Sequence, residues 1–522
     1  MKRILVTGAS GYIGGRLIPM LLDRGYSVRC LARDPKKLEG RPWTHQVEIV
    51  AGDVLDPESL RRALDGCAVA YYLVHAMMAG ERSFVDRDRT AASNFAEAAE
   101  QVGLERIIYL GGLGRRADHL SDHLASRQEV GDILRGGAVP VTELRAAMII
   151  GSGSASFEMM RSLVKRLPVM ICPKWVRTRN QPIAVRDVLG YLVGCLEQPK
   201  TAYGIFDIGG PDVLTYKDMM IRYAAMQGLR RRIIVVPVLT PRLSAYWINL
   251  VTPIPASLAF PLVEGLRAEV ICHNNRIRDL VPIPLTPFGE AVQRAMDKVH
   301  ENNVSTRWSN AALPSRAALL RRPQFDPDRF PLRDVQRVEA ETSSSVLFDR
   351  VQRIGGSTGY YYGNFLWWIR GAMDRIVGGV GLRRGRRDPV EIYIGDALDF
   401  WRVEDFVPGH RLLLHAEMRV PGDAWLEFRV EPRESQRSVL TQTAYFKPSG
   451  VLGRLYWYAC LPAHLFIFSG MAQSIVRSAE ASSDHSEAGH RQEGSASLTG
   501  SPGVPMVREP SADDVPAGGV SR

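Results

Sequence analysis

The residues best placed to do chemistry stand at the start of the chain. The stretch TGASGYIGG sets Gly8, Gly11 and Gly14 at G-x-x-G-x-x-G spacing, after the apolar run RILVTG and at the head of an amphipathic segment, Gly14 to Arg24. That arrangement suits a diphosphate. Gly8 permits a tight turn off a strand. Gly11 lets the backbone approach a pyrophosphate with no Cβ in the way. Gly14 lets a helix pack closely on a sheet. Ser10, Tyr12 and Ile13 lie in the same turn and belong to the candidate cofactor contacts. The amides at the helix start then face the phosphates with partial positive charge.

The second apolar run ends CLARDP, and position 33 is where an acidic side chain would hold an NAD ribose hydroxyl. It is Arg33, with Lys36 and Lys37 following. A guanidinium grips a 2′-phosphate in two-pronged fashion, which favours NADP, with NAD kept as an alternative in which Asp34 takes the ribose. Asp53 and Val54, in AGDVLD, suit an adenine amino group at the end of a third run. His75, in LVHAM, ends the fourth and is expected beside the nicotinamide-side ribose, or as a hydrogen-bonded wall residue.

These residues need elements to position them. Runs rich in Val, Ile and Tyr (RILVTG, SVRCLAR, VEIVAGD, VAYYLVH, RIIYLGG, PVTELRAA) alternate with helical stretches at Gly14 to Arg24, Pro57 to Leu64, Arg89 to Val102 and Ala125 to Leu134. Such alternation predicts an α/β fold with a doubly wound parallel sheet, a Rossmann fold. The chain from about 196 to 300 reads as an irregular C-terminal lobe of the same domain, 1–300. Residues 301–335 read as a linker. From 336 to 478 the pattern becomes α+β: an aromatic helical stretch, then LDFWRVEDF, RLLLHAEM, AWLEFRVE and SVLTQTAYF separated by turn signals, then a long helix. Residues 479–522, poor in aromatics and rich in Ser, Gly and Ala, read as a disordered tail.

Composition bounds the rest. At 45% hydrophobic and 23% charged residues, there is ample material for cores. A net charge of +10 favours phosphate-bearing ligands or an anionic membrane surface. Basic runs such as Arg230 to Arg232 carry no interleaved aromatics, so no nucleic acid partner is expected, and the runs read as solvated surface. The six cysteines lack paired spacing, which predicts reduced thiols in a cytoplasmic protein and no metal site. Leu455 to Val476 is long enough to span a membrane, but Pro462 and His464 near its middle favour a core helix. Peripheral membrane association stays open, as does the oligomeric state.

The first 300 residues resemble an atypical, extended short-chain dehydrogenase/reductase. The resemblance is carried by TGASGYIGG, GDVLD, ELRAAMIIGSGS, QPIAVRDV and YGIFDIGGPDVLTYKDM, and it extends to the NmrA-like proteins and the nucleotide-binding accessory subunit of respiratory complex I. It implies that Asp187 anchors the C-terminal lobe and that Met148 to Ser156 lines the substrate side of the cleft. It also implies a catalytic serine and a Y-x-x-x-K pair, and here the chain departs. The fifth run ends YLGGLG, with Gly112 or its neighbour in the serine's place. The helix pair becomes His123 and Arg127, four apart on one face. Arg127 can hold ribose hydroxyls, and His123 can act as acid or base. Ser126, Tyr109 and His119 are weaker candidates.

The last third resembles a START-like helix-grip domain, on GGSTGYYYGNFLWWIRGAMD, GDALDFWRVEDF, GHRLLLHAEMRVPGDAWLEF and LTQTAYFKPSGVLGRLYWY. The resemblance implies a curved sheet around a long helix with an apolar ligand cavity between them, a solid aromatic core being the alternative. Three functions follow: an NADP(H)-dependent oxidoreductase of a small hydrophobic carbonyl or quinone-like substrate; a non-catalytic NADP(H)-binding sensor, regulator or structural protein; or membrane-associated lipid handling, on Leu455 to Val476 and the positive charge.

Overall fold

The computed structural model describes residues 2–74, 83–114, 121–236, 248, 252, 256–300, 306, 325–327, 330–377, 379–383, 385–434 and 436–496. Its first part alternates strand and helix: β1 (Arg3–Thr7), α1 (Gly14–Asp23), β2 (Ser27–Ala32), β3 (Val47–Ala51), α2 (Pro57–Leu64), β4 (Val69–Tyr72), α3 (Ser83–Gln101), β5 (Arg106–Gly112), α4 (Asp122–Gly136), β6 (Val141–Ala146) and β7 (Ile205–Ile208). The strands form one seven-stranded sheet in the order β7-β6-β5-β4-β1-β2-β3, parallel throughout. Every residue of β4 and β5 is buried, because helices cover both faces of the sheet. On one face α1 and helix Val185–Glu197 close over Ile4, Val6, Tyr71 and Ile108. On the other, α2 and α3 close over Leu5, Tyr72, Ile107 and Tyr109.

Local chemistry sets the helix starts. Pro57 opens α2, and Asp56 caps it by accepting the Glu58 N–H at 3.2 Å. Ser121 caps α4 through the Leu124 N–H. Strand order reverses between β1 and β4, so a crevice opens beyond their carboxyl ends. Thr7 ties those ends together: its hydroxyl donates to the Tyr71 carbonyl at 2.9 Å and accepts the Leu73 N–H at 3.1 Å.

The lobe beyond residue 196 is more regular than expected. Its first strand, β7, belongs to the main sheet. Helices Tyr216–Met226, Ala256–Gly265, Arg276–Leu280 and Phe288–His300 follow, and strand Arg232–Val236 pairs in parallel with Val169–Pro173, which comes after helix Ala155–Arg166 earlier in the chain. Asp187 anchors this lobe as expected: its carboxylate is buried and accepts the Thr286 N–H at 2.7 Å and the Thr286 hydroxyl at 2.8 Å.

The C-terminal part is a six-stranded antiparallel sheet packed on helix Gly450–Ala496. The four anticipated strands are there, and two boundaries change. Strand Leu332–Ala340 crosses the expected linker end at 335 and pairs along Ser438–Pro448. The final helix runs to Ala496, through the first part of the stretch expected to be disordered from 479. Thr306, inside the expected linker, is fully buried. Between sheet and helix, the rings of Tyr360 and Trp367 stack at 4.5 Å, and Trp367 meets Phe468 at 6.1 Å. These contacts are those of a packed aromatic core.

Candidate functional site

The glycine turn leaves β1 and enters α1 as its spacing requires. Gly8 has φ +69°, and a Cβ on it would lie 2.7 Å from the Leu73 carbonyl oxygen. A Cβ on Gly14 would lie 2.3 Å from the Gly8 oxygen, so both positions are closed to a side chain by the protein itself. Gly11 differs. Its Cβ would meet only the Gly8 carbonyl, at 3.0 Å for the oxygen. The space in front of Gly11 is therefore open, as an approaching pyrophosphate needs. No side chain caps α1, and within its first turn the Gly15 and Arg16 amides donate to the Gly11 and Ile13 carbonyls at 3.1 and 3.0 Å.

Tyr12 and Ile13 join Gly8, Gly11 and Gly14 in the wall of the cleft. The Tyr12 ring lies under the Arg16 guanidinium at 4.7 Å. Its hydroxyl is buried without a hydrogen-bond partner among the described residues, and burial pushes its pKa up to about 12. Arg16 in turn donates to Thr306 Oγ at 2.8 Å and to the Ser152 carbonyl at 2.7 Å, while Thr306 Oγ donates to the Tyr12 carbonyl at 3.0 Å. A residue from the expected linker thus clamps the phosphate turn from behind. Ser10 is half-buried in the turn and does not line the cleft.

Arg33 stands exposed just past β2 and makes no hydrogen bond or ion pair among the described residues. Asp34, its rival for the ribose, is engaged: its carboxylate accepts the Lys36 N–H at 3.2 Å and caps the short helix Pro35–Leu38. Asp53 follows β3, where its carboxylate accepts the Leu55 N–H at 3.1 Å and its own N–H meets Ser59 Oγ at 3.0 Å. Val54 is beside it, its carbonyl accepting from Asn94. His75 and His119 lie outside the described residues.

His123 and Arg127, one turn apart on α4, both face the cleft opposite the glycine turn. Arg127 donates to the Leu110 carbonyl near the end of β5. Where the serine is expected, a Cβ on Gly112 would lie 2.8 Å from Leu124 Cδ2 and 3.4 Å from Arg127 Cδ, both atoms of flexible side chains that can shift. The weaker candidates are placed elsewhere. Tyr109 is buried away from the cleft and donates to the Arg127 carbonyl at 2.8 Å, and buried Ser126 donates to Asp88 at 3.4 Å.

Beyond His123 the cleft widens into a chamber, the whole enclosing about 900 Å³. Its wall is apolar: Met148 and Ile149 after β6, Met159 and Met160 from helix Ala155–Arg166, Met220 from Tyr216–Met226, Leu262 and Leu266 around Ala256–Gly265. Met148, Ile149, Ser154, Ala155 and Ser156 do line it, as the resemblance implied. The other methionines went unremarked in the sequence. Helical spacing alone does not distinguish a chamber wall from a core face.

Residues 8–148 match a family model described as NAD(P)H-binding. The N-terminal unit is an NAD(P)H-binding, Rossmann-type domain. A second model, described only as a protein of unknown function, DUF2867, matches residues 327–471. Among curated proteins, the chain is similar to the ceramide reductase of Caulobacter vibrioides, 28% identical over 239 residues, 45% of this chain and 73% of that one. It is also similar to the 3 beta-hydroxysteroid dehydrogenase/Delta 5→4-isomerase of Mycobacterium tuberculosis, 33% identical over 118 residues. That match spans 21% of this chain and only 31% of the relative. Among solved structures, an NADPH-dependent quinone oxidoreductase of Escherichia coli aligns with a TM-score of 0.47 at 18% identity, covering 56% of this chain and 99% of that one. The NAD(P)H-binding domain offers its cofactor a cradle with an open glycine and an apolar chamber in continuation.

Proposed function

We propose that this protein is an NADP(H)-dependent reductase of a small hydrophobic molecule bearing a carbonyl or quinone-like group. The observation that carries this is the continuity of the glycine turn, His123 and Arg127 with one apolar chamber. The bound dinucleotide supplies a hydride to the substrate carbon. Arg127, held by the Leu110 carbonyl, orients the ribose and substrate oxygen from one side. His123 delivers the proton that the carbonyl oxygen takes up as the carbon accepts hydride. For a quinone-like acceptor, solvent protons serve as well. The methionine-rich wall excludes water and selects bulky apolar substrates. A relative whose name is ceramide reductase supports a hydrophobic substrate. Exposed Arg33, with Asp34 committed to its cap, supports NADP over NAD.

We read the C-terminal part, a sheet packed on a long helix, as a domain of helix-grip type. Its stacked core supports a solid interior over a ligand cavity, which leaves substrate binding to the cleft. The six free thiols support a reducing, cytoplasmic location.

A second reading, a non-catalytic NADP(H) sensor, is favoured by one observation: Gly112, His123 and Arg127 stand where a catalytic serine, tyrosine and lysine are expected. One experiment separates the two. The purified chain is mixed with NADPH and a panel of quinones and hydrophobic aldehydes while NADPH absorbance is followed. The reductase reading expects substrate-dependent oxidation, reduced about a hundredfold in kcat by His123→Ala, with NADPH affinity retained. Tight NADPH binding without turnover across the panel overturns it.

A further inference from the structure

Two features of the sequence enter none of this chemistry: the apolar stretch Leu455 to Val476 and the basic run Arg230 to Arg232. Helix Asn364–Ile376 lies against the first half of helix Gly450–Ala496. Arg370 donates to the Tyr456 hydroxyl at 2.9 Å, and the rings of Tyr362 and Phe466 meet at 5.4 Å. Their inner faces bury Trp367, Phe468 and Met471. Their outer faces expose Phe365, Trp368, Met373, Leu455, Tyr458 and Phe466, with Trp368 67% and Phe466 61% exposed. Gly450–Ser482 is long and apolar enough to cross a membrane, with mean hydropathy 1.4, yet only 28% of its apolar window is buried. Its apolarity is therefore not explained by a place in the core.

The chamber mouth has the same character. Strand Val169–Pro173 turns Val169 and Ile171 outward, Ile171 being 58% exposed, and both also line the chamber. Beside them Arg231 donates to the carbonyls of Val164 at 2.6 Å and Lys165 at 3.2 Å, which gathers Arg230, Arg231 and Arg232 with Lys165 and Arg166 into one basic cluster. Partial burial, reinforced by Arg161, lowers the pKa of both Lys165 and Arg166. Such crowded cations gain from an anionic partner. On the helix pair itself, Arg370 lies over the Tyr456 ring at 5.8 Å and Arg454 is exposed, so cations also stand among these aromatic side chains.

Exposed Trp, Tyr and Phe on the helix pair and clustered Arg and Lys at the chamber mouth each match the chemistry of a bilayer interface, with rings among acyl chains and cations at headgroups. We propose that the two form one face that seats peripherally on an anionic lipid bilayer and that the chamber takes its substrate from the lipid phase. The route of the substrate rests on the proposed reductase function, whereas the docking face does not.

The test is flotation of the full chain with vesicles of phosphatidylcholine, alone or mixed with phosphatidylglycerol. The anionic vesicles should carry the protein, and added salt should weaken binding. Trp368→Ser/Phe466→Ser and Arg230→Glu/Arg232→Glu, all at exposed positions, should each lower the bound fraction about tenfold. The proposal falls if neither vesicle binds, if neutral vesicles bind equally well, or if the variants float like the wild type. It also falls if the Trp368→Ser/Phe466→Ser variant instead dissolves a dimer, since the face then meets a second copy. Binding without NADPH turnover keeps the face and removes the reductase reading. Turnover without binding does the reverse.

Discussion

The Tyr109 hydroxyl donates to the backbone carbonyl of Arg127 at 2.8 Å, joining β5 to α4 from the side away from the cleft. The tyrosine nearest in sequence to the expected catalytic position thus serves the scaffold, while Arg127 presents its side chain to the cleft. Tyr109→Phe should lower thermal stability by about 1 kcal/mol and leave NADPH affinity unchanged. A melting curve paired with a binding titration checks both; a large loss of turnover with normal stability would return Tyr109 to the chemistry.

Gly11 and Gly14 should respond differently to the same methyl group. Gly14→Ala drives a Cβ to 2.3 Å from the Gly8 oxygen, so α1 must shift, at about 1–3 kcal/mol. Gly11→Ala meets only the Gly8 carbonyl, at 3.0 Å for the oxygen, and should leave the apo fold nearly intact while reducing dinucleotide binding at least tenfold. Calorimetric binding and unfolding of the two variants distinguish a phosphate cradle from a merely tight turn.

Arg33→Ala should spare stability, since the side chain is exposed past β2. It should weaken NADPH by about ten- to a hundredfold and leave NADH nearly unchanged, because a charge-assisted pair with the 2′-phosphate is lost. Equal loss for both coenzymes would place Arg33 elsewhere in the site.

Met160→Trp should fill part of the chamber. KM for the bulkiest hydrophobic substrates should rise about tenfold or more while NADPH affinity holds, because Met160 lines the chamber and is not part of the glycine turn. Steady-state kinetics across a size series of substrates reads this directly.

Alkaline pH offers a separate probe. Burial raises Tyr12 to about 12, above its unfolded value near 10. Its contribution is therefore fully present below about pH 10 and lost as pH rises toward 12, about 2–3 kcal/mol across the window. Comparing unfolding of wild type and Tyr12→Phe over that range isolates the effect; parallel curves would refute it.

The nucleotide half was legible in the sequence because its signals are local. Glycine spacing answers to backbone sterics within seven residues, and fully buried parallel strands announce themselves as unbroken apolar runs flanked by helices. The strand ends at which Arg33 and Asp53 stand, just past β2 and β3, were legible in the same way. Beyond Met148 to Ser156 the chamber was hidden. Met160, Met220 and Leu266 come from separate elements, and whether such residues fill a core or wall a void depends on how those elements cross. The same holds for the clamp of Thr306 on the phosphate turn, 294 residues from Tyr12. The final helix shows the limit most plainly: its apolar composition was evident from the letters, but which turns lie in the core and which face outward was settled only by the sheet and the helix that pack against it.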